Sequence, residues 1–335
     1  EVSEFLSSKH GPVVGQNGEK AYAVRIAGLH NAGIFEQFHR MSAAKNLIEF
    51  ESSMKMLQLP MFNIIYADRE GNIMYLFNGN VPVRSTGDFA FWKGSVDGTD
   101  TKLIWNKIHS YNDLPKVINP STGFVSNCND APWTCTEPMV LNPDEFPAYM
   151  SSRGTFLRAQ RAVNMIKEDQ SITFEELVNY KHDTRMEAAI RFLDDLLAAV
   201  EKYPDAKASE AAKVLGRWDM KTECDSRGAV LFAAWWDMVR GNMFAVPWSP
   251  AHPNSTPDGL NDPVQAVELL KKAADDVLNK YGSLDVKWGD VYRFRINDID
   301  FPANGGPGDY GIFRTVNFAP GPDNKKLAVH GETYV

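Results

Sequence analysis

The apolar positions of the first 150 residues alternate in short runs that predict strands. The run 62–67 and the run 72–77 are rich in β-branched and aromatic residues. Between them Asp68-Arg-Glu-Gly71 has the composition of a hairpin turn, with Gly71 suited to a positive φ. Residues 21–26 also alternate as a strand does, whereas residues 43–57 carry apolar side chains at helical spacing. This segment is therefore predicted to be β-rich with inserted helices.

From about residue 155 to residue 282 the apolar period changes to that of helices. Thr173 and Glu176 form a capping-box pair ahead of one helix. Residues 186–200 carry a single apolar face, and residues 229–240 are apolar nearly all round, which predicts a buried helix. Asp262 and Pro263 match an N-cap and first turn, with Gly282 as the stop of a helix ending at Tyr281.

Strand patterns return from Val291, at 291–296, 313–318 and 327–335. The order is thus β-rich, then helical, then β-rich. We predict an α+β fold in which residues 151–285 are a helical insertion. Residues 1–150 and 286–335 would form one discontinuous domain that is truncated at both ends, because the last strand pattern stops in mid-pattern.

Composition and charge exclude two classes of partner. The chain has 335 residues, 44% of them hydrophobic, and a net charge of −8 with a pI near 5.5. Its positive charges are scattered, which argues against nucleic acid, since phosphate binding needs a clustered positive surface. No run of about 18 apolar residues exists, so no membrane-spanning helix is predicted.

Three cysteines are too few for a zinc site or a disulfide framework. Cys128 and Cys135 lie on one loop and could form a bridge in an oxidising compartment. The alternative is three reduced, partly buried thiols, including Cys224.

The loop Asn127-Cys-Asn-Asp130 has two interpretations. Its side-chain amides could donate to an oxyanion, which contributes a few kcal/mol to lowering a reaction barrier. Alternatively, the Asn and Asp side chains only satisfy turn backbone groups.

His330 and Glu332 stand two apart and would face one side of a strand. Such a pair could orient a catalytic imidazole or bind a metal, as in a metal-dependent amidase. The alternative is an ordinary, partly exposed strand. The sequence shows no phosphate loop, nucleophile elbow or zinc spacing, so we predict no cofactor and no metal centre.

Arg158 and Arg161 open the first helix of the helical region. A helical arginine pair is usually solvated. The position of Arg158 close behind the Asn loop makes it the better candidate for a buried or site arginine.

Several segments, in this order and spacing, resemble the large subunit of the penicillin and cephalosporin acylases, which are N-terminal nucleophile hydrolases. The resemblance extends to acyl-homoserine-lactone acylases. The segments that carry it are residues 9–13, 27–29, 62–71, 77–79, 113–115, 119–120, 123–130, 157–160, 288–290 and 330–332.

The resemblance implies a four-layer αββα architecture and an autoprocessed enzyme whose N-terminal Ser forms an acyl-enzyme with a linear amide. It implies that Asn129 donates to the oxyanion and that Glu332 pairs with a His near the nucleophile. Arg158 would support the site, Asn127 would have a supporting role only, and Phe62 would line the acyl pocket.

The resemblance also implies what this chain lacks. The nucleophile and its His partner would lie upstream of Glu1, so the expected partners are the N-terminal part of the large subunit, the small subunit and a small-molecule amide. A periplasmic or secreted location and a structural calcium are implied in the same way, without identified ligands. An alternative of another class is a non-catalytic binding protein that keeps the fold.

Overall fold

A computed structural model describes residues 5–169 and 171–331. The chain forms two compact units that divide between Arg153 and Gly154. Each unit combines helices with antiparallel sheet, which agrees with the predicted α+β class. The prediction that residues 1–150 and 286–335 form one domain, interrupted by 151–285, stays a prediction. In the part of the chain that is described, no helix is both long enough and apolar enough to cross a bilayer.

The first unit contains two three-stranded antiparallel sheets, in the orders β1-β2-β3 and β4-β5-β6. Its strands are β1 (Ser7–Ser8), β2 (Gly11–Asn17), β3 (Lys20–Ala23), β4 (Met61–Ala67), β5 (Ile73–Gly79) and β6 (Lys116–Ile118). Its helices are α1 (Ile34–Ala43), α2 (Leu47–Met54) and α3 (Phe89–Lys93).

The predicted hairpin is confirmed as β4 and β5. Gly71 has φ +85°, and Asp68 closes the turn by accepting hydrogen bonds from the backbone N–H groups of Glu70 and Asn72. The pKa of Asp68 lies below its usual range, and the hydrogen bond from the Asn72 side-chain amide contributes most to this lowering. In the register of this hairpin Phe62 lies opposite Asn78.

The predicted helix 43–57 is wrong at its start. The backbone is extended at Ala44, and α2 begins at Leu47, after Asn46. The Asn46 side chain accepts from the N–H of Glu49, whose carboxylate accepts from the N–H of Lys45. This local cap fixes the helix start more strongly than the apolar spacing does.

The second unit has one large core built mainly from helices. These are α4 (Leu157–Lys167), α5 (Phe174–Lys181), α6 (Glu187–Lys202), α7 (Ala206–Leu215), α8 (Ala229–Trp236), α9 (Pro263–Tyr281) and α10 (Trp288–Val291). Its strands are β7 (Phe244–Val246), β8 (Asp258–Leu260), β9 (Tyr292–Ile296), β10 (Ile299–Pro302), β11 (Val316–Pro320) and β12 (Lys326–Gly331). They form a β7-β8 pair and a sheet in the order β10-β9-β12-β11, in which β12 runs parallel to β9.

Two helix starts in this unit follow the predicted caps. Thr173 and Glu176 exchange the two bonds of a capping box at α5. Asp262 caps α9 through the N–H of Gln265, and Gly282 ends that helix in the left-handed conformation. The buried helix 229–240 is confirmed but ends at Trp236.

Candidate functional site

Hydrogen bonds of the Asn127 side chain stabilise the conformation of the loop 127–130. Its Nδ2 lies 3.3 Å from both the carbonyl oxygen and a carboxylate oxygen of Asp130, to which it donates. Its Oδ1 accepts from the backbone N–H of Asn129 at 2.9 Å. These are the bonds of a turn residue. Asn127 therefore supports the position of its neighbours.

Asp130 and Trp133 anchor the same loop to the body of the first unit. The Asp130 carboxylate accepts from the N–H of Cys128 at 2.9 Å and from the hydroxyl of Thr134 at 2.7 Å. The indole of Trp133 is buried and donates to the carbonyl of Ser152 at 2.7 Å. The loop therefore has side-chain anchors on both sides of Asn129.

Asn129 is the exposed residue of this anchored loop and has φ +68°. This left-handed conformation is uncommon for residues other than Gly, and Asn is among those that adopt it most readily. The backbone thus places an amide side chain at the surface of a loop whose shape is fixed by its neighbours. An amide in such a position can donate to a carbonyl oxygen that develops negative charge.

Phe62 lies on β4 in the same unit and is 56% exposed. Met61 and Ile65 are also exposed, but they lie on the opposite face of the strand, because successive side chains alternate. Phe62 therefore offers a single exposed aromatic ring of the kind that a hydrophobic acyl group would contact.

Arg158 lies in the second unit, near the start of α4. It is half-buried, with its guanidinium 5.4 Å from the centre of the Phe156 ring. Arg161, one turn later, is the buried arginine, and its Nε donates to Asp183 at 2.7 Å. Sequence reasoning selected Arg158 and missed this ion pair, because helical spacing alone does not show which face meets an acidic partner.

A second buried ion pair was also missed by the sequence analysis. Glu187 accepts from Arg191 at 2.8 Å, and both side chains are almost fully buried on α6. Arg191 also donates to the carbonyl oxygens of Asn254 and Pro257. The four-residue spacing on a helix is the signal that could have identified the pair. Its contacts indicate that it holds the segment 254–257 against α6.

Glu332 lies outside the described residues, so its predicted role stays a prediction. His330 belongs to β12, where its backbone pairs with that of Asn317. Among residues 5–169 and 171–331, no group of three or more His, Cys, Asp and Glu side chains could hold a metal ion. Cys128 and Cys135 are buried, Cys224 is partly buried, and none of these three sulfurs belongs to a disulfide.

Comparison with known proteins gives consistent matches along nearly the whole chain. The family model described as penicillin amidase matches residues 1–334. Acyl-homoserine lactone acylase PvdQ of Pseudomonas fluorescens (strain Pf0-1) is 24% identical over 370 residues, covering 99% of this chain and 47% of that protein. Aculeacin-A acylase of Actinoplanes utahensis is 25% identical over 383 residues, with 99% and 48% covered.

The fold is also that of a solved acylase. The structure of a thermostable penicillin G acylase from Alcaligenes faecalis matches with a TM-score of 0.63 at 17% identity, over 90% of this chain and 60% of that one. The chain spans about half the length of the curated relatives it matches.

Proposed function

The chain belongs to the penicillin amidase family, and on that premise we propose that its protein hydrolyses a linear N-acyl amide of a small molecule. The products are a carboxylic acid and an amine. The observation that carries the proposal is the match of residues 1–334 to one family, together with relatives that are named acylases. A β-lactam side chain and an acyl-homoserine lactone are the two substrate types we propose to screen.

The proposed chemistry runs through an acyl-enzyme. An N-terminal Ser, exposed by autocatalytic cleavage upstream of this chain, attacks the amide carbonyl and forms an ester bond while the C–N bond breaks. The proton of the hydroxyl passes through the α-amine to the departing amine. Water then hydrolyses the ester and restores the Ser. The remainder of the large subunit and a small subunit complete the enzyme.

In this scheme Asn129 supplies a hydrogen bond to the oxyanion of each tetrahedral intermediate. Three features support this role: its exposure, its left-handed backbone and the anchoring of its loop by Asn127 and Asp130. A donor that is held in place before the reaction costs no reorganisation at the moment when charge develops.

The other assignments extend the same scheme. Phe62 contacts the acyl group, Glu332 orients a histidine near the nucleophile, and Arg158 supports the site from α4. The exposure of the Phe62 ring on β4 supports the first of these. A periplasmic or secreted location belongs to the same proposal.

Replacing Asn129 in the full-length protein tests the proposal. We expect Asn129→Ala and Asn129→Gly to lower kcat by roughly two to three orders of magnitude, as loss of one oxyanion donor does. The Gly variant is the decisive one, because Gly keeps φ +68° without strain and removes only the amide.

Asn297→Gly is the matched control. Asn297 is also exposed, has φ +53° and lies in the turn between β9 and β10, so this variant should retain the wild-type kcat. A loss under about fivefold in Asn129→Gly would contradict the oxyanion role. A folded wild-type protein that turns over no acyl amide would instead favour the non-catalytic binding protein.

A further inference from the structure

The loop that carries the candidate oxyanion amide is closed at its base. The backbone N–H of Ser126 donates to the carbonyl oxygen of Cys135 at 2.7 Å, which joins the two ends of a segment that we call the closed loop, residues 126–135. Val125 and Cys135, at these two ends, pack in one apolar cluster with the fully buried Tyr75 of β5. The base of the closed loop is therefore fixed to the sheet of the first unit.

The Asp130 carboxylate lies inside the closed loop and is bonded at both of its oxygens. One oxygen accepts from the backbone N–H of Cys128 at 2.9 Å and from the side-chain amide of Asn127 at 3.3 Å. The other oxygen accepts from the hydroxyl of Thr134 at 2.7 Å. Since an ionised carboxylate can only accept, the Thr134 hydroxyl is the donor. Bonds on both oxygens fix the rotation of the carboxylate.

Thr134 is held in place by its own surroundings. The residue is 3% exposed and ends a single 3₁₀ turn, Pro132–Thr134. The neighbouring indole of Trp133 is buried and donates to the carbonyl of Ser152, which lies in the same unit. A side chain whose position is set by packing can orient a polar partner before any substrate binds.

The bond from Cys128 to Asp130 closes a ring around the backbone of Asn129. Inside this ring Asn129 has φ +68°, a conformation that a residue other than Gly keeps only where its surroundings hold it. Loss of the Thr134 bond would free one oxygen of the carboxylate to rotate, and rotation would break its bond to Cys128. The direction of the Asn129 side chain therefore depends on a buried hydroxyl five residues further along the chain.

From this arrangement we propose that Thr134 is a positioning residue for the oxyanion amide. Its hydroxyl orients the Asp130 carboxylate, and the carboxylate holds the backbone that directs Asn129. Thr134 itself lies in the interior and acts only through Asn129. The catalytic consequence rests on the proposed function, whereas the structural consequence can be measured without it.

Thr134→Val in the full-length protein tests the catalytic consequence, because it replaces the hydroxyl by a methyl group of similar size. We expect kcat to fall about 10-fold, less than for loss of the amide itself, with KM changed by less than about twofold. Thr134→Ser, which keeps the hydroxyl, should retain kcat to within about threefold. A kcat of Thr134→Val within about twofold of the wild type, or an equal loss in Thr134→Ser, would overturn the proposal.

Thr136→Val is the matched control. Thr136 is 1% exposed, and its hydroxyl is bonded to that of Thr122, beyond the base of the closed loop. This variant should retain the wild-type kcat, and equal losses in Thr134→Val and Thr136→Val would overturn the proposal. In an Asn129→Gly background, Thr134→Val should lower kcat by a further factor below about two, because its effect passes through the missing amide. A further 10-fold loss there would also overturn it.

Hydrogen exchange separates failure of this proposal from failure of the proposed function. Backbone N–H groups of residues 127–130 should exchange about tenfold faster or more in Thr134→Val, and at the wild-type rate in Thr136→Val. Unchanged exchange in Thr134→Val would overturn the proposal whatever the activity. Faster exchange, together with a loss under about fivefold in Asn129→Gly, would overturn only the oxyanion role of Asn129. Thr134→Ala, which also lacks the hydroxyl, takes the place of Thr134→Val if that variant does not fold.

Discussion

The two units differ in how completely they bury their apolar side chains. The second unit has one continuous core in which Phe192, Phe232 and Trp235 are fully buried by the packing of α6, α8 and α9. The first unit has two small clusters, and large apolar side chains such as Phe35 and Ile48 are about four-fifths exposed. Exposed apolar residues also occur in the second unit, but beside a large core.

This difference concerns how far each unit is stabilised by its own core. A large core supports a unit by itself, whereas a unit with small cores and exposed apolar surface depends more on further contacts. The candidate oxyanion residue Asn129 and the candidate acyl contact Phe62 lie in the first unit, whereas the candidate supporting residue Arg158 lies in the second. Binding and catalytic residues commonly lie on loops and surfaces that a scaffold positions.

The largest expected effect is on the core of the second unit. Trp235 is fully buried, and its indole donates to the carbonyl of Ala266 at 3.1 Å. Trp235→Ala should therefore lower the free energy of unfolding by about 3–5 kcal/mol, measured by urea denaturation. Phe62→Ala in the first unit should change it by less than about 1 kcal/mol, because Phe62 is mostly exposed.

Similar losses of unfolding free energy in Trp235→Ala and Phe62→Ala would contradict the difference between the units. They would mean that Phe62 is buried by contacts equivalent to those of Trp235. The slope of the denaturation curve serves as the control. If the slope changes, the two free energies are not comparable.

A smaller effect concerns the pH dependence of the first unit. Burial, aided by the nearby Asp130 carboxylate, raises the pKa of the Cys135 thiol to about 12. An unfolded thiol titrates near pH ~8.5. The pKa of this thiol is higher in the folded state than in the unfolded state. Its contribution to the free energy of unfolding is therefore fully present below pH ~8.5 and is lost as the pH rises toward 12. By pH ~10 the wild type should lose about 1–2 kcal/mol that Cys135→Ala does not lose.

Val117→Ala is the control for this experiment, since Val117 belongs to the same small cluster and carries no titratable group. Val117→Ala and the wild type both keep the Cys135 thiol, so the difference between their stabilities should not vary from pH ~7 to ~10. A difference between wild type and Cys135→Ala that is constant from pH ~7 to ~10 would contradict the buried thiol.

Elements whose ends carry local chemistry were predictable from the sequence. The hairpin around Gly71 was confirmed, as were the capping box at Thr173 and the helix between Asp262 and Gly282. In each case one residue type satisfies backbone groups or adopts a positive φ, so the signal is local.

Helix ends that the apolar pattern overruns, and strand pairings between distant segments, were not predictable to the residue. Helix α8 ends at Trp236, but apolar residues continue after Asp237 at Met238 and Val239, so the pattern extends beyond the helix. The parallel pairing of β12 with β9 joins strands far apart in sequence.

The candidate site divides in the same way. The sequence alone predicted that the Asn and Asp residues of the 127–130 loop could form a turn. The left-handed backbone of Asn129 was visible only in the structure.

The most direct test of the account is N-terminal sequencing, with intact mass, of the subunits produced from the full-length gene. The account predicts a large subunit that begins with Ser, upstream of the segment that starts at Glu1. A single unprocessed chain, or a large subunit that begins with a residue other than Ser, Thr or Cys, would contradict it.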